Sequence, residues 1–131
     1  MAWTYDAQQG PDADLWRILE EEERLRAVVE HHRQLKGAHA RLESIQAHAA
    51  MHVAVENQLA DDQPLAVRVT MRRLVDGGLN RHEAVHAVGA VTARHLLAIL
   101  QKKGTWDEAA YIRDLNALAA ESAMSSVRDK H

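Results

Sequence analysis

Apolar side chains recur every three to four residues along most of this chain and never alternate long enough to suggest a strand, so the pattern predicts an all-α domain of about five helices, one of them short. A first helix is expected over residues 12–36, with Leu15, Trp16, Leu19, Leu25, Val28 and Val29 in its apolar stripe and Gly37 as its stop. The second should span 38–60 along Leu42, Ile45, Ala49, His52, Val53, Val55 and Leu59, and break before Pro64. A short third helix over 65–76 closes at Gly77-Gly78. The fourth starts at Asn80 and runs to about 103. The fifth opens on Thr105-Trp106-Asp107-Glu108, read as a capping box in which Thr105 and Glu108 satisfy free backbone amides, and it ends near 121. Residues 1–10 and 122–131 lack this periodicity and are expected to fray.

A length of 131 residues fits one domain able to bury its own core, here about residues 12–121. There is no cysteine, which excludes a disulfide framework, a thiolate nucleophile and sulfur-ligated zinc or iron–sulfur sites. Any metal must be held by nitrogen and oxygen. The net charge of −3, with dispersed basic residues, argues against nucleic acid as a partner. Arg68, Arg72 and Arg73 on the third helix read as a solvated face. No run approaches the roughly 20 apolar residues of a bilayer span, so no membrane partner is expected. The first residues lack the basic and apolar regions of a secretory signal, so a cytoplasmic location is the default expectation. Phe is absent, and Ala, Val and Leu supply most of the expected core. Gly89, inside the fourth helix, costs about 1 kcal/mol relative to Ala and marks a close approach by another backbone or a ligand, unless it is accidental.

The candidate chemistry sits in two of these helices. His48-x3-His52-x3-Glu56 falls on one face of the second, because residues four apart stack above one another. His82-Glu83-Ala84-Val85-His86 reads H-E-x-x-H, combining a His pair at i,i+4 with a Glu-x-x-His at i,i+3, two common ways for a helix to present ligands to a transition metal. If the third helix turns back along the second, it retreats by roughly 18 Å at 1.5 Å per residue. The fourth helix then starts level with Ala49 and brings His82 and His86 beside His48 and His52. The same reckoning, with Gly37 as a hairpin turn, puts Glu22 at the height of His52 as a further ligand or a partner to one, and leaves His32 out of reach.

Each signal also has a plain structural reading. Glu83 lies three residues behind Asn80 and would complete an Asn-led capping box. His48, His52 and Glu56 could form a hydrogen-bonded polar network between helices. His95, nine residues beyond His86, lies off its line and reads as a packing residue.

Residues 48–89 resemble a bacterial helical domain family of unknown function. In that family an H-x3-H-x3-E-x-Q-L segment, a proline-containing break, a short arginine-bearing helix and R-H-E-A-x-H follow in this order. The resemblance covers about a third of the chain and places His48, His52, Glu56, Gln58, Pro64, Arg81, His82, Glu83 and His86 at motif positions. It implies a discrete motif unit and supplies no reaction.

Three functional readings follow. One is a carboxylate–histidine site for a divalent transition metal (Zn, Fe or Mn) inside a bundle, held by His48, His52, Glu56, His82, Glu83 and His86 and acting on a small-molecule substrate by oxygen chemistry or hydrolysis. The chain has a single Glu-x-x-His, so a dinuclear site would require a homodimer and a lone chain a mononuclear one. The second is a zinc peptidase with Glu83 as the catalytic residue that activates water. The third is a non-catalytic adaptor whose polar core is structural.

Overall fold

The computed structural model describes residues 4–34, 45–102 and 104–119. Its elements are α1 (Ala13–Ile18), α2 (Glu21–Gln34), α3 (Ile45–Asp61), α4 (Leu65–Asp76), α5 (Arg81–Lys102) and α6 (Glu108–Asn116), with no strand among the described residues. The all-α expectation holds. Gly37, the expected helix start at 38 and the tail from 122 lie outside the described residues.

The expected first helix is two helices. Asp12 caps α1 by accepting from the amides of Asp14 and Leu15, and the helix stops at Leu19, whose backbone is extended. Two side chains from the next turn stabilise the break: Glu23 accepts from the Glu20 amide at 3.0 Å, and the Arg24 Nε donates to the Leu19 carbonyl at 3.1 Å. Apolar periodicity continues through Leu19, so the hydrophobic pattern carried no sign of it. The break lets α1 turn its indole toward α3, where Trp16 Nε1 donates to Asn57 Oδ1 at 2.8 Å.

Other boundaries follow local chemistry. Pro64 precedes α4, as expected from its missing amide and fixed φ. Gly78 has a φ of +119°, a conformation L side chains rarely adopt, and from there Leu79 returns its amide to the Leu74 carbonyl. At the start of α5 the capping box is complete: Asn80 Oδ1 accepts from the Glu83 amide and Glu83 Oε1 accepts from the Asn80 amide. For α6 the expectation needs correction. Asp107, an equally favoured cap residue lying closer to the helix, accepts from the Ala110 amide, and the helix ends at Asn116 rather than near 121.

The helix α3 is the hub and packs against α1, α2, α4 and α5. On one side Val55 and Leu59 join Val67, Leu74, Val85, Val88, Tyr111 and Leu115 in the larger apolar cluster. On the other side Ala49 and Val53 join Trp16, Val28, Val29 and the N-terminal Tyr5 and Ala7. Tyr5 is 3% and Ala7 0% exposed, so the described part of the segment expected to fray is anchored to the core by these two side chains. Residues Arg81–Gln101 are long and apolar enough to cross a membrane by length and composition alone. That helix packs against α3, α4 and α6, which is where an ordinary core helix sits. A Cβ at Gly89 would lie 2.5 Å from the Met51 Cγ, so the close approach is made by a side chain of α3.

Candidate metal centre

Five imidazoles converge where α2, α3 and α5 meet: His32, His48, His52, His82 and His86, with one ligand nitrogen from each lying within 4.8 Å of all the others. His52 is the centre of the group, its ring centroid 4.4 Å from His32, 5.1 Å from His48, 4.9 Å from His82 and 5.0 Å from His86. The expectation that α3 and α5 bring His48, His52, His82 and His86 together is met, with His48 Nε2 lying 2.9 Å from His86 Nε2.

His32 requires a correction, because it is fully buried in the cluster and its Nε2 is 3.2 Å from that of His52. The reckoning that excluded it counted heights from a hairpin turn at Gly37, whereas His32 packs level with His48 and His52, at ring-centroid distances of 4.8 and 4.4 Å. A usable signal was present: His32 continues the stripe of Val28 at i+4 and Val29 at i+3, a histidine on an apolar face. Glu22, expected level with His52, is exposed and outside the cluster.

The two carboxylates named from the sequence lie elsewhere. Glu83 caps its own helix through Asn80. Glu56 is 1% exposed and gripped by Arg81, Nη1 to Oε2 and Nη2 to Oε1, both at 2.7 Å. Tyr5 donates a third hydrogen bond to its Oε2 at 2.6 Å. Arg81 also donates to the Ala7 carbonyl, and Gly10, at a φ of +76°, leaves room where a Cβ would lie 2.5 Å from the guanidinium carbon. Burial opposes the charge of Arg81, but the hydrogen bonds and charge of Glu56 outweigh it and raise its pKa. Burial, then Glu56, pushes the Tyr5 hydroxyl far above its usual range, which keeps its proton on.

These contacts assign the imidazole protons. His32 Nδ1 is 2.8 Å from the Val28 carbonyl, which can only accept, so Nδ1 carries a hydrogen and Nε2 is the nitrogen turned toward the cluster. The single Tyr5 proton is donated to Glu56, so the hydroxyl oxygen accepts from His52 Nδ1 at 3.2 Å, and the Nε2 of His52 carries a lone pair. Burial, followed by the neighbouring His32, His86, His82 and His48, holds the His52 pKa well below the ordinary imidazole range. The His52 Nε2 lone pair therefore faces the His32 Nε2 across 3.2 Å.

Such an arrangement is suited to a cation. An ion bound about 2.0–2.1 Å from each nitrogen places neighbouring donors about 2.9–3.4 Å apart and opposite ones about 4.2 Å apart. The 2.9 Å and 3.2 Å pairs fit neighbouring positions, and the widest spread of 4.8 Å requires at most about 0.6 Å of contraction. Val28 behind His32, and Tyr5 with Glu56 behind His52, are the orienting partners that metal-bound imidazoles characteristically use.

Sequence reasoning also missed Tyr5 and the role of Arg81. Tyr5 was hidden in a segment without periodicity, although it is one of few aromatics in a chain only 4% aromatic. Arg81 stood immediately before the H-E-x-x-H. His95 does pack, against the edges of the paired rings of Trp106 and Tyr111, and its Nε2 lies 2.6 Å from Asp114 Oδ2.

Neither a curated protein nor a solved structure matches the chain. A family match covers residues 45–117, more than half of the sequence, including His48, His52, Glu56, Arg81, His82 and His86 and leaving Tyr5 and His32 ahead of it. The chain thus belongs to the family described as domain of unknown function DUF1841.

Proposed function

We propose that this domain binds a divalent transition-metal ion through His32, His48, His52, His82 and His86. The observation that carries the reading is the convergence of five imidazoles from three helices, with one ligand nitrogen of each within 4.8 Å of all the others and the Nε2 atoms of His32 and His52 only 3.2 Å apart. Two ring nitrogens this close repel unless a cation or a proton lies between them, and at His52 burial opposes the proton. An all-imidazole set favours zinc, iron, copper or nickel over manganese, which prefers oxygen. His48 and His86 are partly exposed, which gives a small molecule access to the ion and makes hydrolysis with zinc or oxygen chemistry with iron the accessible reactions. The peptidase reading has less support, because Glu83 serves the helix cap.

Elemental analysis of protein purified without a polyhistidine tag or chelator tests the site. About one ion per chain is expected, with thermal stabilisation by added zinc or iron, and uptake should be lost in both His52→Ala and His86→Ala. Protein that carries no stoichiometric ion and gains no stability, or uptake that survives both substitutions, would leave a structural polar core and an adaptor role. Ester hydrolysis by the zinc form and oxygen consumption by the iron form then separate the two chemistries.

A further inference from the structure

A second site lies on the far side of the Glu56–Arg81 pair. The N-terminal segment, α3, α4 and the start of α5 enclose an open cleft of about 630 Å³, within the range of small-molecule sites. Its charged lining is Arg68, Arg72 and Arg81 with Glu56 and Asp76, three cationic side chains and two carboxylates. Its apolar wall comes from Leu59, Met71 and Val75.

The arginines of α4 have separate tasks. Arg73 donates to the Leu115 and Leu118 carbonyls at the end of α6. Arg68 uses Nη2 on the Leu59 carbonyl and Nε on Asp62, at the end of α3. Arg81 and Glu56 are committed to each other. Arg72 is exposed, lines the cleft, and has no hydrogen bond or ion pair among the described residues. It follows Arg68 by four residues, so the two share a helix face. A solvated face, the expectation from sequence, would not need an apolar wall beside it.

We propose that this cleft binds a small organic oxyanion, its carboxylate or phosphate head held by the fork of Arg72 beside Arg68 and its hydrocarbon body lying on Leu59, Met71 and Val75. Guanidinium geometry matches either head group, and the apolar wall selects against a bare inorganic ion. The site does not depend on the imidazole cluster.

Isothermal titration of the full chain with benzoate, phenyl phosphate, benzamide and inorganic phosphate tests this. Saturable binding of benzoate or phenyl phosphate is expected, and the stronger of the two identifies the head group. Benzamide and inorganic phosphate should bind far more weakly. Arg72→Gln should weaken the organic anion at least about tenfold, the scale of a lost charge-assisted hydrogen bond, and Arg72→Lys should fall between. Protein stripped with chelator and then dialysed should bind equally well, which separates this site from the metal centre. The proposal is overturned if neither organic anion saturates, if Arg72→Gln binds like the unaltered protein, or if stripping the metal abolishes binding.

Discussion

Replacing Arg81 with Met removes two of the three hydrogen bonds to a carboxylate that is 1% exposed, and it leaves the Ala7 carbonyl without its donor. Each hydrogen bond to a charged group contributes about 1.5–3 kcal/mol, and breaking a buried ion pair from one side costs about 3–5 kcal/mol. The two estimates agree near 3–5 kcal/mol, a large part of the roughly 5–15 kcal/mol that holds a domain folded. Tyr5→Phe removes one such bond and also the acceptor of the His52 Nδ1 hydrogen, and should cost about 2–4 kcal/mol. The double variant Arg81→Met with Glu56→Leu no longer buries an unpaired charge, so it should be more stable than Arg81→Met alone. Urea unfolding followed by circular dichroism, in chelator so that metal binding does not contribute, measures all four proteins. The reasoning fails if Arg81→Met costs under about 1 kcal/mol, or if the double variant is less stable than the single.

Three further outcomes are expected. Glu83→Ala should lower stability by about 1 kcal/mol through loss of the capping box, with the metal content per chain unchanged; loss of metal would return Glu83 to the ligand set. The depressed pKa of His52 means that the unfolded chain takes up a proton the folded chain resists, so this contribution is fully present above the ordinary value of 6.5 and is lost as pH falls from there toward the folded pKa. Metal-free protein should accordingly unfold at lower urea concentration at pH 5 than at pH 8, with a smaller difference in His52→Asn. Gly89→Ala should destabilise by about 1–3 kcal/mol despite the better helix propensity of Ala, because the new methyl meets Met51, and pairing it with Met51→Ala should recover part of that loss.

How much of this could be read from the residues depended on the distance over which each signal acts. The bounds of α4 and the cap of α5 rest on Pro64, the Gly77-Gly78 pair and Asn80 with Glu83, all local chemistry, and they match the structure closely. The meeting of His48 and His52 with His82 and His86 was accessible because the length of α4 alone sets the offset between α3 and α5. The break at Leu19 was not, since Glu23 and Arg24 stabilise it without disturbing the apolar spacing. His32 was missed for another reason, since its level was counted from an assumed turn at Gly37 and it packs instead beside His48 and His52. Glu56 has metal-ligand spacing, but its partner was decided by Arg81, 25 residues away, a competition between a cation and an ion that spacing does not encode.

The split of the centre across the family boundary bears on how the domain should be cut. A fragment spanning 45–117 would retain four of the five clustered imidazoles but lose His32, and with Tyr5 gone His52 would no longer have its proton held on Nδ1. Work confined to the shared segment would thus sample a looser, more hydrated pocket, and under the proposed metal-binding function its affinity for an ion would understate that of the intact chain.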